Sequence, residues 1–153
     1  MNRLRPFTAI LDRLQQAGLR PTRQRLGLAR LLFQHGDRHI TAEQLHAEAM
    51  AANLKVSLAT VYNTVNQFTA AGLLREVVVD SGRSYFDTNM SEHHHFFLEE
   101  NGELHDILDQ NLLIGALPAP PPGTEVTRVD VIIRVRSLDV PEQESAFVEN
   151  QCV

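Results

Sequence analysis

Apolar and polar residues follow two different periods along this chain, and the change falls near residue 72. Before it, apolar residues recur every three to four positions, which is typical of amphipathic helices. Threonine or serine stands where three of these helices would begin, and glycine follows where three would end. The predicted helices cover residues 8–17, 22–33, 41–52 and 57–71.

The third of these segments begins with a capping box. The Thr41 hydroxyl can accept from the backbone N–H of Gln44, and the Gln44 side chain can accept from the N–H of Thr41. The box supplies partners for backbone amides that the first turn of a helix leaves without one.

After Gly72 the period changes to two, which is typical of strands. Residues 74–79 and 83–87 are rich in β-branched and aromatic side chains and flank an Asp-Ser-Gly turn. Three or four short helices followed directly by a hairpin are the pattern of a winged helix-turn-helix.

The rest of the chain predicts further strands and a stiff connector. Residues 93–99 and 103–108 predict a second hairpin around an Asn-Gly turn. Residues 109–117 are a short helix at most, and the prolines of 118–123 predict an extended connector. Apolar and charged residues alternate through 128–136, which predicts a half-buried strand.

Composition narrows the functional class. At 43% hydrophobic the 153-residue chain can bury a core, and no run approaches the roughly 18 apolar residues that span a membrane. No apolar signal segment follows the basic start, so we expect a cytoplasmic protein with no membrane partner. Cys152 is the sole cysteine, which excludes an internal disulfide and a structural zinc site built from cysteine pairs.

Charge is distributed unevenly along the chain. Residues 1–85 hold 11 Lys and Arg against 6 Asp and Glu, whereas residues 86–153 hold 3 against 13. A basic first half suits a polyanion, and an acidic second half suits cations.

The fourth predicted helix has the composition of a DNA reader. Val61, Val65 and Phe68 form an apolar stripe. A second stripe, roughly opposite, carries hydroxyls and amides but no carboxylate that would repel phosphate; its members are Thr60, Asn63, Thr64 and Gln67. Asparagine and glutamine can each bond adenine through two hydrogen bonds, and residues near the start of a recognition helix reach base edges.

Arginines before this helix and at the tip of the hairpin can contact backbone phosphates, which makes binding salt-dependent. Together with the helix they give a predicted DNA-contacting set of nine residues. The set is Arg20, Arg23, Arg25, Ser57, Thr60, Tyr62, Asn63, Gln67 and Arg83.

Three consecutive histidines, His93, His94 and His95, stand at the edge of an apolar run, with Asp87 before them and Asp106 after. In a strand, His93 and His95 would share one face and His94 would take the other. Paired imidazoles with carboxylates nearby indicate a site for a divalent metal ion or for heme iron.

Several short motifs, in this order, resemble the ferric uptake regulator (Fur) superfamily over residues 8–136. They are GLRPTRQR from residue 18, HITAE from residue 39, SLATVYN from residue 57, and Asp87 followed by the histidine cluster. The resemblance implies homodimeric transcription regulators that bind double-stranded operator DNA, not enzymes.

The resemblance also implies an α+β fold with two domains. Residues 1–86 would form the winged-helix DNA-binding domain and residues 87–137 an α/β dimerisation domain that senses metal or heme. Residues 138–153 would be an acidic, flexible tail.

The spacing of metal ligands is closest to the peroxide-sensing branch of that superfamily. By that resemblance the ligands are His39, Asp87, His93, His95 and Asp106. Three imidazoles and two carboxylates suit Mn²⁺ or Fe²⁺, with Zn²⁺ also accepted in vitro.

Other features resemble the iron response regulator (Irr) branch. Leu98 and Asn101 stand where the superfamily has its first cysteine pair, and Asn63 stands where many members have arginine. The triple histidine followed by two phenylalanines and the proline-rich connector also match that branch, which controls iron homeostasis and heme synthesis genes. By this resemblance heme would bind at the three consecutive histidines.

Two alternative functions and one additional metal site also remain open. In a peroxide-sensing repressor, bound Fe²⁺ would drive the oxidation of a ligand histidine by peroxide. His94 with Glu92 would form a second metal site, although the partners it needs fall at Leu113 and near Arg128. A metal-dependent hydrolase is disfavoured, because the sequence offers no general base outside the ligand set.

Overall fold

The computed structural model describes residues 6–108, 112 and 115–138. Four helices make up most of the first half, and all four predicted helices are confirmed to within two residues at their starts. They are α1 (Pro6–Gln16), α2 (Arg23–Phe33), α3 (Ala42–Ala51) and α4 (Leu58–Ala70).

Side-chain caps begin three of these helices at the predicted residues. The backbone N–H of Arg25 donates to the Thr22 hydroxyl at 3.2 Å, and that of Thr60 donates to the Ser57 hydroxyl at 3.0 Å. Thr41 and Gln44 form the complete capping box, with bonds of 3.0 and 3.1 Å. Each cap supplies an acceptor to a backbone amide that the helix itself leaves unsatisfied.

The apolar faces of the four helices pack into one core. Phe33 and Phe68 place their ring centroids 6.3 Å apart, tilted by 35°, a geometry favoured for aromatic pairs. The largest fully buried residues in this core are Leu14, Leu28, Leu32, Ile40, Leu45, Val61, Val65, Phe68 and Leu74. The core holds α4 through three buried apolar side chains, those of Val61, Val65 and Phe68, and the opposite side of the helix faces solvent.

A small antiparallel sheet completes this first unit. Its strands are β1 (His39–Ile40), β2 (Arg75–Asp80) and β3 (Arg83–Asp87), in the order β1-β3-β2. The β2–β3 hairpin confirms the predicted wing. The two-residue β1 was not predicted, and its pairing with β3 sets His39 opposite Asp87.

The second unit contains another three-stranded sheet. Its strands are β4 (His94–Leu98), β5 (Glu103–Ile107) and β6 (Ile132–Val135), in the order β5-β4-β6. The predicted β4–β5 hairpin is confirmed, and β6 runs parallel to β4. The prediction that the last strand spans residues 128–136 was too long, because the residues up to Asp130 make their polar contacts elsewhere.

Contacts divide the chain after His93. One unit comprises the described residues through His93 together with Val126–Asp130, and the other comprises those of 94–125 and from Val131 onward. The predicted helix within 109–117 and the predicted tail lie largely outside the described residues. Among the helices that are described, none combines the length and apolar character needed to cross a bilayer.

Candidate metal centre and nucleic-acid interface

Asp87 is the centre of a buried cluster in the first unit, formed with His39 and His93, which we call the Asp87 cluster. Its carboxylate is fully buried, and Oδ2 lies 3.1 Å from His39 Nε2 and 2.8 Å from His93 Nε2. The other oxygen, Oδ1, accepts the backbone N–H of Asn89 at 2.8 Å. The β1–β3 register explains the His39 contact, since the two residues are direct cross-strand partners.

The hydrogen bond of the other ring nitrogen of His93, Nδ1, sets the orientation of the ring. His93 Nδ1 lies 2.6 Å from the backbone oxygen of Ser91. A carbonyl oxygen only accepts, so Nδ1–H donates, and when the ring is neutral its Nε2 lone pair faces the Asp87 carboxylate. Two lone pairs that face each other require a cation or a proton between them. The donor set of this cluster therefore fits a bound metal ion.

His95 and Asp106 form a second pair, within the second unit. They are cross-strand partners in the β4–β5 hairpin, and His95 Nε2 lies 3.3 Å from Asp106 Oδ1. The His95 side chain is buried and that of Asp106 is 23% exposed, so water reaches the pair only from the Asp106 side. The second unit thus adds one imidazole and one carboxylate, in contact with each other, to the donors found around Asp87.

The alternation argument for the triple histidine needs a correction at its first member. His93 lies just before β4, so the loop and its bond to Ser91, rather than a strand, direct its ring. His94 does take a separate role, because its Nδ1 accepts the backbone N–H of Val131 at 3.1 Å. His94 thereby links β4 to the chain entering β6.

Two of the histidines left outside the metal prediction, His46 and His105, have their own partners. His46 Nε2 donates to the backbone oxygen of Val56 at 3.1 Å, and the exposed His105 lies 3.1 Å from Glu103 Oε2. Both contacts are local, and neither belongs to the Asp87 cluster.

The solvent-facing side of α4 carries most of the predicted base readers. Ser57, Tyr62, Asn63 and Gln67 are exposed, and Thr60 is half-buried. Thr64 was wrongly placed on this side. It is only 4% exposed, and its hydroxyl donates to the Thr60 backbone oxygen at 2.8 Å. One turn of helix separates Thr64 from both Val61 and Phe68, so it shares their buried face.

Tyr62 has a partner that sequence patterns did not indicate. Its hydroxyl donates to Oε1 of Glu43, in the first turn of α3. This hydrogen bond lowers the pKa of the Glu43 carboxyl, and the same bond raises the pKa of the Tyr62 hydroxyl. The contact joins residues 19 positions apart, so only the packing of α3 against α4 reveals it.

Arg25 connects α2 to α4. Its Nε and Nη2 donate to Gln67 Oε1 at 3.3 and 2.9 Å, and its Nη1 donates to the Arg20 backbone oxygen at 2.9 Å. The side chains of Arg20, Arg23 and Arg83 are exposed. The acceptor that Gln67 would need for adenine is thus engaged by Arg25.

The sequence also did not indicate a group of charged residues around Asp130. It consists of Arg75, Arg128 and Asp130. Asp130 Oδ1 accepts from Arg75 Nη2 at 2.8 Å, and Oδ2 accepts from Arg128 Nε at 2.6 Å. Arg128 Nη2 also donates to the Glu76 backbone oxygen at 2.7 Å. These bonds hold residues 126–130 on the first unit and explain why β6 begins only at Ile132.

Comparison with known proteins places these features in a family. The model of the ferric uptake regulator family matches residues 16–115. Over 100 residues the chain is 35% identical to the ferric uptake regulation protein of Pseudomonas aeruginosa, covering 65% of this chain and 75% of that one. The corresponding protein of Legionella pneumophila is 32% identical over 100 residues, covering 65% and 74%.

Solved structures agree with this match. The ferric uptake regulator from Pseudomonas aeruginosa, solved with manganese, aligns with a TM-score of 0.63 at 28% identity, covering 83% of this chain and 96% of that one. The Vibrio cholerae ferric uptake regulator aligns with a TM-score of 0.65 at 24% identity, covering 82% and 98%, which supports the fold alone. The predicted α+β fold class is confirmed.

Proposed function

The chain belongs to the ferric uptake regulator family, whose members are transcription regulators and not enzymes, and we propose that it binds operator DNA as a homodimer under the control of a divalent metal ion. By its Irr-like features we further propose that it controls genes of iron homeostasis and heme synthesis. The ion we propose is Mn²⁺ or Fe²⁺.

The observation that carries the metal proposal is the Asp87 cluster. Two imidazole nitrogens approach one fully buried carboxylate oxygen, at 3.1 and 2.8 Å. A buried carboxylate is costly unless it is paired or coordinates a metal. Mixed imidazole and carboxylate donors suit first-row divalent ions better than Ca²⁺, which takes oxygen ligands only.

We extend the proposal to a single ion held by all five residues that the family resemblance assigns. His93 and His95 are separated by one residue, so their Cα atoms lie within about 7 Å of each other in any conformation. Donors from the Asp87 cluster and from the His95–Asp106 pair can therefore reach the same ion. When bound, that ion supplies the charge that balances two carboxylates, and it favours whichever conformation holds all the donors together.

The DNA proposal depends on the exposed side of α4 and on the arginines around it. Asn63 lies in the half of the helix that enters the major groove in helix-turn-helix proteins, so we assign base contacts first to Asn63, Thr60 and Tyr62. Arg20 and Arg23 would contact phosphates and make the affinity salt-dependent.

Selection from a library of duplexes with a randomised central segment tests the function. We expect the full chain to enrich a defined motif with Mn²⁺ present, and the enrichment to change when the ion is removed by a chelator. Asp87→Asn, which keeps the side-chain volume, should abolish the response to Mn²⁺. His105→Ala, which removes an exposed histidine outside the cluster, is the matched control and should respond as the wild type does.

The outcomes are decisive for the proposal. Failure of the wild-type chain to enrich any motif, with or without Mn²⁺, would contradict DNA binding. An Asp87→Asn chain that responds to Mn²⁺ as the wild type does would contradict the metal site while leaving DNA binding intact.

Heme at His93, His94 and His95 has less support than the metal ion. Because His94 Nδ1 accepts a backbone N–H, its neutral ring carries the proton on Nε2. Iron binding through Nε2 would require the ring to give up its bond to Val131. A heme titration of the wild type and of His94→Ala decides the matter: a Soret band that shifts only in the wild type would support heme sensing.

A peroxide-sensing repressor is the second candidate, and the retained five-residue ligand set favours it. In that case peroxide should oxidise the Fe²⁺-loaded chain at a ligand. Mass spectrometry should then find one added oxygen atom on His39 or His93 and none on His105, and unmodified ligand histidines would exclude this candidate.

A further inference from the structure

The backbone oxygen of Ser91 accepts two hydrogen bonds from side chains on opposite sides of it in the sequence. Arg75 Nη1 donates to it at 3.1 Å, and His93 Nδ1 donates to it at 2.6 Å. A peptide oxygen has two lone pairs, so both bonds form at once. The Ser91 carbonyl therefore connects a strand of the wing to a proposed metal ligand.

The arginine in this chain of bonds is held from its other end. Arg75 is 7% exposed, and its Nη2 donates to Asp130 Oδ1 at 2.8 Å. Because this guanidinium is nearly buried, water competes little for its two partners, and its hydrogen bonds are strong. A continuous series of bonds thus runs from Asp130 through Arg75 and Ser91 to His93.

We propose that Arg75 is a positioning residue for His93 and sets the metal affinity of the site through the Ser91 carbonyl. The inference rests on the proposed metal site. The carbonyl determines which nitrogen of His93 carries the proton, and so directs the Nε2 lone pair at the site of the ion. Carbonyl and carboxylate partners of metal-binding histidines act in this way, and their loss typically lowers metal affinity 10- to 100-fold.

The loop itself shows why the carbonyl needs an external donor. The N–H of Ser91, which belongs to the preceding peptide, and its hydroxyl both donate to Asn89 Oδ1, at 3.0 and 2.7 Å. Those local bonds hold the N–H side of Ser91 but leave its oxygen to Arg75 and His93. Removing Arg75 removes the only bond from β2 that the described contacts give to this oxygen.

The test compares Arg75→Met with Arg128→Met in the full chain. Each substitution removes one guanidinium from the same Asp130 carboxylate, but only Arg75 also contacts Ser91. Mn²⁺ affinity is measured from the electron paramagnetic resonance of free Mn²⁺. We expect Arg75→Met to raise the Kd for Mn²⁺ about 10- to 100-fold and Arg128→Met to change it by less than about threefold.

A second measurement needs no metal. The ¹⁵N shifts of His93 report which ring nitrogen is protonated, and we expect the Nδ1–H form to lose its dominance in Arg75→Met but not in Arg128→Met. Asp130→Asn, at a half-exposed position where the fold should tolerate it, should shift both readouts in the same direction by a smaller amount.

Three results would overturn the role of Arg75. These are wild-type Mn²⁺ affinity in Arg75→Met, an equal loss in Arg128→Met, and an unchanged His93 proton position in Arg75→Met. A wild-type chain that binds no Mn²⁺ would instead contradict the proposed function, and the nitrogen spectra would still decide whether Arg75 positions His93.

Discussion

Replacing Gln67 by methionine should weaken DNA binding without changing the preferred sequence. Gln67 Oε1 accepts both Nε and Nη2 of Arg25, and Arg25 Nη1 donates to Arg20. A guanidinium has five N–H groups, so two remain free of these contacts and are available to a phosphate. Gln67 lies near the C-terminal end of α4, away from the end that reads bases in helix-turn-helix proteins. We therefore expect it to hold Arg25 in place rather than to read a base.

The size of the effect follows from these contacts. Losing exposed hydrogen bonds to a charged group costs about 1 kcal/mol, which is roughly a fivefold loss of affinity. Arg25→Met removes the phosphate contact itself, so the slope of log affinity against log salt should become shallower by about 0.9. Because Gln67 acts through Arg25, the double variant should bind no worse than Arg25→Met alone.

Fluorescence anisotropy with a duplex enriched by the wild type, over a series of KCl concentrations, measures these values. Arg23→Met is the matched control, since it removes the same charge from the same helix, and its effect should add to that of Gln67→Met. The reasoning is refuted if the effects of Gln67→Met and Arg25→Met are additive. It is refuted as well if Gln67→Met alters the selected motif, because Gln67 would then read a base.

Three further predictions concern stability. Phe68→Ala should lower the free energy of unfolding by about 3–5 kcal/mol in urea, because Phe68 is fully buried; a loss below about 1 kcal/mol would contradict the core described. Thr41→Ala should cost about 1 kcal/mol through loss of the capping box, and an unchanged midpoint would argue against it. Burial raises the pKa of Asp130, but the hydrogen bonds and charges of Arg128 and Arg75 outweigh it and lower the pKa below the ordinary 3.8. Its stabilisation is therefore present at neutral pH and is lost as pH falls below that value, so Asp130→Asn should be less stable than wild type at pH 7 and equal to it in strong acid.

Local signals were enough to predict the helices and the wing. Thr22, Thr41 and Ser57 each cap a helix at the predicted position, because a cap depends on residues within one turn of it. Hairpins are local for the same reason, since a turn joins two strands that are adjacent in sequence.

Contacts between distant segments could not be predicted in this way. Strand β1 has two residues, too few to show a period, and it exists because it pairs with Asp87 and Phe86. The bond between Arg75 and Asp130 spans 55 positions, and no spacing rule connects them. Thr64 was misplaced because its hydroxyl can satisfy itself on the helix backbone, which allows a polar residue on a buried face.

The candidate metal site shows the same difference between local signals and contacts that depend on the fold. The family resemblance assigned its five residues by motif, and the structure adds the orientation of the rings, which motifs do not contain. The bond from His93 to Ser91 and the pairing of His39 with Asp87 depend on a loop and on a sheet register. Neither the bond nor the pairing can be read from the sequence, because both form only in the folded chain.

Calorimetric titration of the full chain with Mn²⁺ tests the central claim most directly. If one ion is shared by the Asp87 cluster and the His95–Asp106 pair, the wild type should bind one Mn²⁺ per chain at this site. Asp87→Asn and His95→Ala should each remove that binding, while His105→Ala should retain it. Unchanged Mn²⁺ binding in either Asp87→Asn or His95→Ala would contradict a shared metal centre.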